Sequence, residues 1–417
     1  MAKLKVAYLA TVPITIQGFL LNQVKSLVKA GYEVTSISAP GPEVASIEAA
    51  NIRHIPVPMT REMKPLADLI SLWHLYRVLR RERFTIVHTH TPKACLYGQL
   101  AARLARVPIV VSTVHGFYFH ENMSSLRRCF YTAIEKIAAR CSDTIFFVST
   151  EDAGTARREK IGNKSKLVEL QGIGIETRRF ERTALTEDAT KQTRREIGLP
   201  VGVPVVGFVG RLVKEKGVLE LLCAAQIILQ QIPETRFLII GPVDKSKSDA
   251  LTPPIAERYG VSEHCIFTGM RQDMPVLYSL MDAFVLPSHR EGFPVSVMEA
   301  SAVGVPCIVT NVRGCREAIK DEYNGLVVPL GDVRALADAI LDLLTNRDKA
   351  QKMAENGKRV ALRDFDERRV FKIVETEYAR LIKAKDTSKP RRSRFACSMS
   401  AVSLLLIASM NALQSIE

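Results

Sequence analysis

Two glutamates eight residues apart carry the most pointed chemistry in the chain, in the segment Ser288-His-Arg-Glu-Gly-Phe-Pro-Val-Ser-Val-Met-Glu299. The Gly and Pro predict a loop around Glu291, and the residues after Pro294 predict a helix that carries Glu299 about two turns in. At 1.5 Å rise per residue the two carboxylates stand roughly 10 Å apart. That is too far to share one proton and well suited to gripping two parts of one extended ligand. The backbone at Gly292, Phe293, Pro294 and Val295 opens the helix, and free N–H groups there would accept an anion. A capped helix with a solvated glutamate would show the same local pattern. A second segment weighs against that: Gly210-Arg-Leu-Val-Lys-Glu-Lys-Gly217 follows an apolar run and offers cations to a diphosphate without a metal. Arg211 would act as a bidentate fork and Lys216 as a point charge, with Lys214 left in solvent.

In the first half, His88-Thr-His-Thr-Pro-Lys93 and Val114-His-Gly-Phe-Tyr-Phe-His-Glu121 each follow an apolar run. Histidines at such strand ends are placed for catalytic or substrate-orienting work; His90, Lys93 and His120 are the candidates for acceptor contact. A zinc reading fails for want of Cys or carboxylate at ligand spacing, so no metal is expected. Thr11–Phe19, with Gly18, predicts the loop between the first strand and first helix. It lacks G-x-G-x-x-G, which counts against a dehydrogenase. Asp364-Phe-Asp366 does not follow a strand and predicts a helix N-cap rather than a metal-binding D-x-D.

The elements that must position these groups alternate short β-rich apolar runs with helix-period segments, the pattern of parallel sheets covered on both faces. Strands are predicted at Leu4–Ala10, Glu33–Ser38, Ile52–Val57, Thr85–Thr89, Ile109–Thr113, Thr144–Val148 and Lys166–Leu170. A restarted series follows at Val205–Gly210, Phe237–Ile240, Cys265–Thr268, Ala283–Leu286, Cys307–Thr310 and Gly325–Val328. The polar stretch Ile175–Val203 predicts a linker. The fold expected is α/β, two Rossmann-like domains facing a cleft. The boundaries expected are 1–183, 184–363, 364–383 and a basic, apolar tail, 384–417. Helices are expected from Asp332 to about Lys383, broken near Asn346 and Asp364.

At 417 residues and 47% hydrophobic composition the chain suits two ordinary domains. Its net charge of +14 is uneven: residues 1–183 carry 26 Lys/Arg against 15 Asp/Glu, residues 184–382 carry 26 against 27, and residues 383–417 carry 6 against 2. Such a surface attracts polyanions, whether nucleic acid, anionic lipid or a phosphorylated substrate. The eight scattered cysteines form no C-x-x-C pair and read as reduced, cytoplasmic residues. Lys3 and Lys5 before a short apolar run predict a first strand, not a signal peptide. In the tail, Phe395–Leu413 is uncharged but diluted by Ser and Asn, borderline for the ~20 apolar residues of a spanning helix; inserted, its basic flank would be cytoplasmic.

The Glu291-x7-Glu299 segment, the Gly-Arg-x4-Lys-Gly loop, and Val312-Arg-Gly-Cys-Arg-Glu317 followed by Asn324-Gly-Leu-Val-Val328 resemble the retaining glycosyltransferases of family 4, with the GT-B fold. Within that family they resemble the capsular-polysaccharide and lipid-linked-oligosaccharide branch. The likeness spans roughly residues 4–382 and is strongest between 204 and 330. It implies a C-terminal helix packing back on the N-terminal domain, and that Arg211 and Lys216 hold the donor diphosphate beside Gly210. Glu291, through the Gly292–Val295 loop, would contact the transferred sugar, and Glu299 the ribose. The nucleobase would lie near Met270 and Arg271. His115 would stand beside the sugar, and the Gly18 loop would touch acceptor or donor phosphate. The implied reaction moves a hexose or N-acetylhexosamine from a nucleoside-diphosphate sugar, UDP-linked, to a saccharide on a polyprenyl diphosphate, without cofactor, at the inner face of the plasma membrane. A nucleotide-sugar epimerase of the same architecture is one rival. Another is a non-catalytic binder of nucleotide sugar or nucleic acid, for which Arg77-Val-Leu-Arg-Arg-Glu-Arg83 is suitably basic but no aromatic platform accompanies it. Nucleic acid is therefore not an expected partner.

Overall fold

The protein is described by a computed structural model covering residues 3–62, 64–119, 123–181, 186–244 and 247–387. It forms two compact units. One holds the chain up to Phe147, Asp152–Glu169, and the chain from Phe371 to Thr387; the other holds Val148–Glu151 and Leu170–Val370.

The first unit is built on a parallel sheet of β1 (Lys5–Leu9), β2 (Glu33–Ser38), β3 (Arg53–Pro56), β4 (Ile86–His90), β5 (Ile109–Val114), β6 (Thr144–Phe147) and β7 (Leu167–Glu169), in the order β3-β2-β1-β4-β5-β6-β7. The second holds β8 (Val205–Val209), β9 (Arg236–Ile240), β10 (Cys265–Gly269), β11 (Ala283–Leu286), β12 (Cys307–Thr310) and β13 (Gly325–Val328), in the order β10-β9-β8-β11-β12-β13. Every predicted strand is present. In the inner strands the β-branched and aromatic residues are buried on both faces, as in Val205, Val206 and Phe208 or Phe284 and Val285, because helices cover each side of a parallel sheet. Both sheets reverse direction once, between β1 and β4 and between β8 and β11. In open α/β sheets ligands collect beyond the carboxyl ends of the strands at such a switch point.

The last helix, Glu367–Thr387, belongs to the first unit from Phe371 onward, as expected of a returning C-terminal helix. There the Ser26 hydroxyl donates to Glu375 at 3.1 Å, Thr144 donates to Glu377 at 2.5 Å, and buried Tyr378 sits 2.7 Å from His88 Nδ1. Asp366 caps the helix: its carboxylate accepts from the Arg368 N–H at 2.8 Å and the Thr177 hydroxyl at 3.2 Å.

Two local expectations need correction. Gly18 is not in a loop; it lies in a π-helical turn, Ile16–Leu20, inside a helical run from Pro13 to Lys29, and the connection after β1 is only Ala10–Val12. The stretch read as a linker contains a helix, Glu187–Glu196, capped by Thr186 accepting from the Ala189 N–H at 3.2 Å. His120 and the predicted apolar tail segment 395–413 lie outside the described residues.

Candidate active site

In the second unit, the loops after β8, β11 and β12 meet backbone to backbone. Gly217 has φ +75°, and a Cβ there would stand 2.0 Å from the Pro287 carbonyl oxygen; at Gly314, φ +74°, a Cβ would stand 2.2 Å from the Gly292 carbonyl oxygen. Both conditions exclude a side chain, so Gly217 lets the cationic loop touch the acidic one and Gly314 lets the loop after β12 close on it. The Lys216 ammonium consequently pairs with Glu291 Oε1, which also accepts from the Ser288 hydroxyl at 2.7 Å. The side chains of the pair are 18% and 10% exposed, open enough for a ligand to compete for the lysine. Ser288 is fixed in turn by its carbonyl, which accepts from the Thr310 hydroxyl at 2.5 Å. Ser288 went unassigned in the sequence, although it opens the segment that drew attention.

Gly292, Phe293 and Pro294 lead into the Val295–Val303 helix, whose N-terminus no side chain caps. Its first N–H groups therefore remain available to an anion. Phe293 packs edge-on to Phe365, ring centroids 5.7 Å apart, and this holds the loop from behind. Glu299, on the same helix, accepts from buried Tyr278 at 2.9 Å. Burial raises its carboxyl to about 7, against the opposing pull of the Tyr278 hydroxyl and the Arg179 charge.

Arg211 extends from the β8 loop and is held by Asp244 at 2.7 Å. Gly210 borders that loop, its N–H donating to the Ile240 carbonyl at 2.9 Å. Beyond β10, Met270 is 58% exposed, while Arg271 is forked onto Asp273 at 2.6 and 2.8 Å. Glu317 anchors a different feature: it accepts from the Thr150 N–H and hydroxyl, each at 2.6 Å.

In the first unit, β4 and β5 bring His88, His90 and His115 into one cluster. His90 Nδ1 lies 3.1 Å from His115 Nε2, and His88 Nε2 lies 2.7 Å from the Thr113 hydroxyl. Burial lowers His88 to about 3 and His115 to about 4, and takes His90 well below its ordinary value. All three are neutral imidazoles at physiological pH, able to exchange hydrogen bonds with a hydroxyl but not to supply a cation. Alongside them Thr91 adopts φ +71°, a conformation costly for a β-branched residue, and its hydroxyl lies 2.8 Å from that of Thr11. That contact joins the loops at the β1/β4 switch point. Lys93 is buried and committed: its ammonium pairs with Asp68 and donates to the Thr60 hydroxyl at 3.1 Å, tying the segment after β3 to the helix after β4. Gly18 is exposed on its π-helical turn.

Comparison with known proteins now adds to this geometry. A sequence model described as "Glycosyl transferases group 1" matches residues 189–360, and one described as "Glycosyl transferase 4-like domain" matches residues 16–169. The chain is 32% identical over 276 residues to the GDP-mannose-dependent alpha-(1-6)-phosphatidylinositol monomannoside mannosyltransferase of Mycolicibacterium smegmatis, across 64% of this chain and 69% of that protein. The chain belongs to glycosyltransferase family 4. Over 345 residues this glycosyltransferase is 29% identical to the UDP-Gal:alpha-D-GlcNAc-diphosphoundecaprenol alpha-1,3-galactosyltransferase of Escherichia coli, 82% of this chain and 88% of that protein. In fold it is similar to Anabaena HepE, solved in complex with UDP-glucose, with a TM-score of 0.76 at 18% identity over 90% of this chain and 99% of that one. It is an enzyme of polysaccharide or lipid-linked glycan biosynthesis with two parallel-sheet α/β domains, the GT-B fold.

The raised Glu299 carboxyl sets a pH signature on this glycosyltransferase. An acid whose folded value, about 7, exceeds its unfolded value near 4.5 binds its proton more tightly when folded, so its contribution to stability declines as pH rises between those two values. Wild type will therefore lose about 2 kcal/mol relative to Glu299→Gln between pH 4.5 and 7, read by urea unfolding across that range. Parallel pH curves for the two proteins would refute the assignment.

Proposed function

We propose that the enzyme transfers a hexose or N-acetylhexosamine from a UDP-sugar, with retention and without a metal, to a saccharide carried on a polyprenyl diphosphate at the cytoplasmic membrane face. The observation that carries the donor half is the Lys216–Glu291 pair beside an uncapped helix N-terminus at the β8/β11 switch point. A diphosphate arriving there competes for Lys216 and is met by the helix N–H groups and Arg211. Glu291, relieved of its lysine, is then free to accept hydroxyls of the sugar.

The same cations and N–H groups stabilise charge as it develops on the leaving diphosphate, where preorganised donors act most strongly. The sugar C1–O bond to the β-phosphate breaks, and a C1–O bond to the acceptor forms on the same face. The acceptor hydroxyl proton passes to the departing phosphate oxygen, leaving nucleoside diphosphate as product, so no protein base is needed. His115, neutral, orients a sugar hydroxyl. The UDP-Gal donor and diphosphoundecaprenol acceptor in the name of the Escherichia coli relative, and the UDP-glucose bound by HepE, support this choice of substrates. The test is incubation with a panel of nucleotide sugars and polyprenyl-diphosphate saccharides, with chelator present. The expected result is consumption of one UDP-sugar with formation of an extended lipid-linked glycan of α configuration. Isomerised donor without a glycosylated acceptor would instead identify an epimerase.

A further inference from the structure

The helix Pro65–Glu82 has an outer face ill suited to water. Its inner face buries Asp68, Ser71, Leu72, Leu75 and Leu79. At about 100° per residue, Leu66, Leu69, Ile70 and Trp73 fall within an arc of about 100° on the opposite side, where a surface helix is ordinarily polar. They are 79%, 43%, 55% and 52% exposed. Single exposed apolar residues are commonplace, but four within two turns make a patch that calls for a partner.

The same arc continues into cations. Arg77 places its guanidinium 4.6 Å from the Trp73 ring centroid, and Arg80 and Arg81 are exposed one turn on. The acid at the end of the helix, Glu82, is shared by Arg53 at 2.7 Å and Arg81 at 2.9 Å, which offsets Arg81 and leaves Arg77 and Arg80 as the cations of this face. The outer face thus runs from apolar through an indole to basic, which matches the change from acyl chains through the headgroup boundary to lipid phosphates. Its charge complements an anionic bilayer, as does the excess of 26 Lys/Arg over 15 Asp/Glu in residues 1–183. The apolar end is also the right one: the Lys93–Asp68 pair ties the first turn to the start of the helix after β4, hence to the carboxyl edge of the sheet.

We propose that the outer face of the Pro65–Glu82 helix docks the enzyme on an anionic lipid surface, with Leu66, Leu69, Ile70 and Trp73 entering the headgroup boundary and Arg77 and Arg80 engaging lipid phosphates. The proposal rests on the lipid-linked acceptor reading above, but its test does not measure transfer.

Trp73 is the one tryptophan of the chain, so its fluorescence reports on this face without a label. Full-length protein is mixed with phosphatidylcholine vesicles, with and without phosphatidylglycerol, and followed by tryptophan emission and co-sedimentation. Anionic vesicles should sediment the protein and shift Trp73 emission to the blue. Leu66→Ser with Ile70→Ser should lower partitioning at least tenfold, and each of Arg77→Gln and Arg80→Gln about fivefold at low salt, with UDP binding by calorimetry unchanged. Undiminished binding in these variants would overturn the proposal. So would Trp73 emission that does not move when vesicles sediment the protein, or a shift that follows protein concentration without lipid, as a second copy on this face would produce. Vesicle docking by this face without transfer to a lipid-linked acceptor would sustain the proposal and count against the acceptor reading alone.

Discussion

Replacing Glu291 by Ala will lower the rate of transfer by a factor of about 10² to 10³, with the fold intact by circular dichroism. The carboxylate sits on a rigid loop, accepting from Ser288 at 2.7 Å and paired with Lys216, and in the proposed complex it exchanges the lysine for sugar hydroxyls. With the Ser288 hydroxyl still holding it, the carboxylate needs little reorganisation when charge builds on the sugar. The measurement is steady-state transfer at saturating donor, where a loss of interactions specific to the transition state appears in kcat as well as in kcat/KM. Glu291→Gln keeps the shape and one acceptor oxygen, and should fall between wild type and Ala. Full activity in the Ala variant would take Glu291 out of the mechanism.

The second large effect is on binding. Lys216→Ala should weaken affinity for UDP about 10- to 100-fold, the worth of one charge-assisted hydrogen bond to a phosphate, while affinity for uridine, which has no phosphate, stays the same. Isothermal calorimetry with the two ligands separates the diphosphate role from general damage to the pocket. Because Lys216 and Glu291 are partners before any ligand arrives, the double variant should show non-additive losses. Equal affinity for UDP in wild type and Lys216→Ala would leave the cationic loop without its proposed task.

Much of the architecture was legible residue by residue. Buried parallel strands are short β-branched and aromatic runs, so Val205–Val209 or Ala283–Leu286 could be recognised without knowing their neighbours. The misreadings fall where local signals are weakest. The Glu187–Glu196 helix has no apolar stripe, only polar residues and one alanine behind a threonine cap, with Thr190 and Thr193 among them, and polar composition reads as a linker. The π-helical turn at Ile16–Leu20 has no composition of its own. Lys93 looked like an available cation because its partner, Asp68, sits on another helix.

The sequence by itself determined the class of fold and the placing of cations after one strand and carboxylates after another, since periodicity, turn chemistry and motif spacing are local properties. Only the tertiary structure decided which of those groups meet. Lys216 and Glu291 are 75 positions apart and touch because the sheet places β8 beside β11 and because Gly217 lets their loops close. The Glu299 carboxyl is raised to about 7 because the packed second unit buries it, against the pull of the Tyr278 hydroxyl. The apolar outer face of Pro65–Glu82 became visible in the same way: hydrophobic residues lie all round that helix, and packing buries one side of it only.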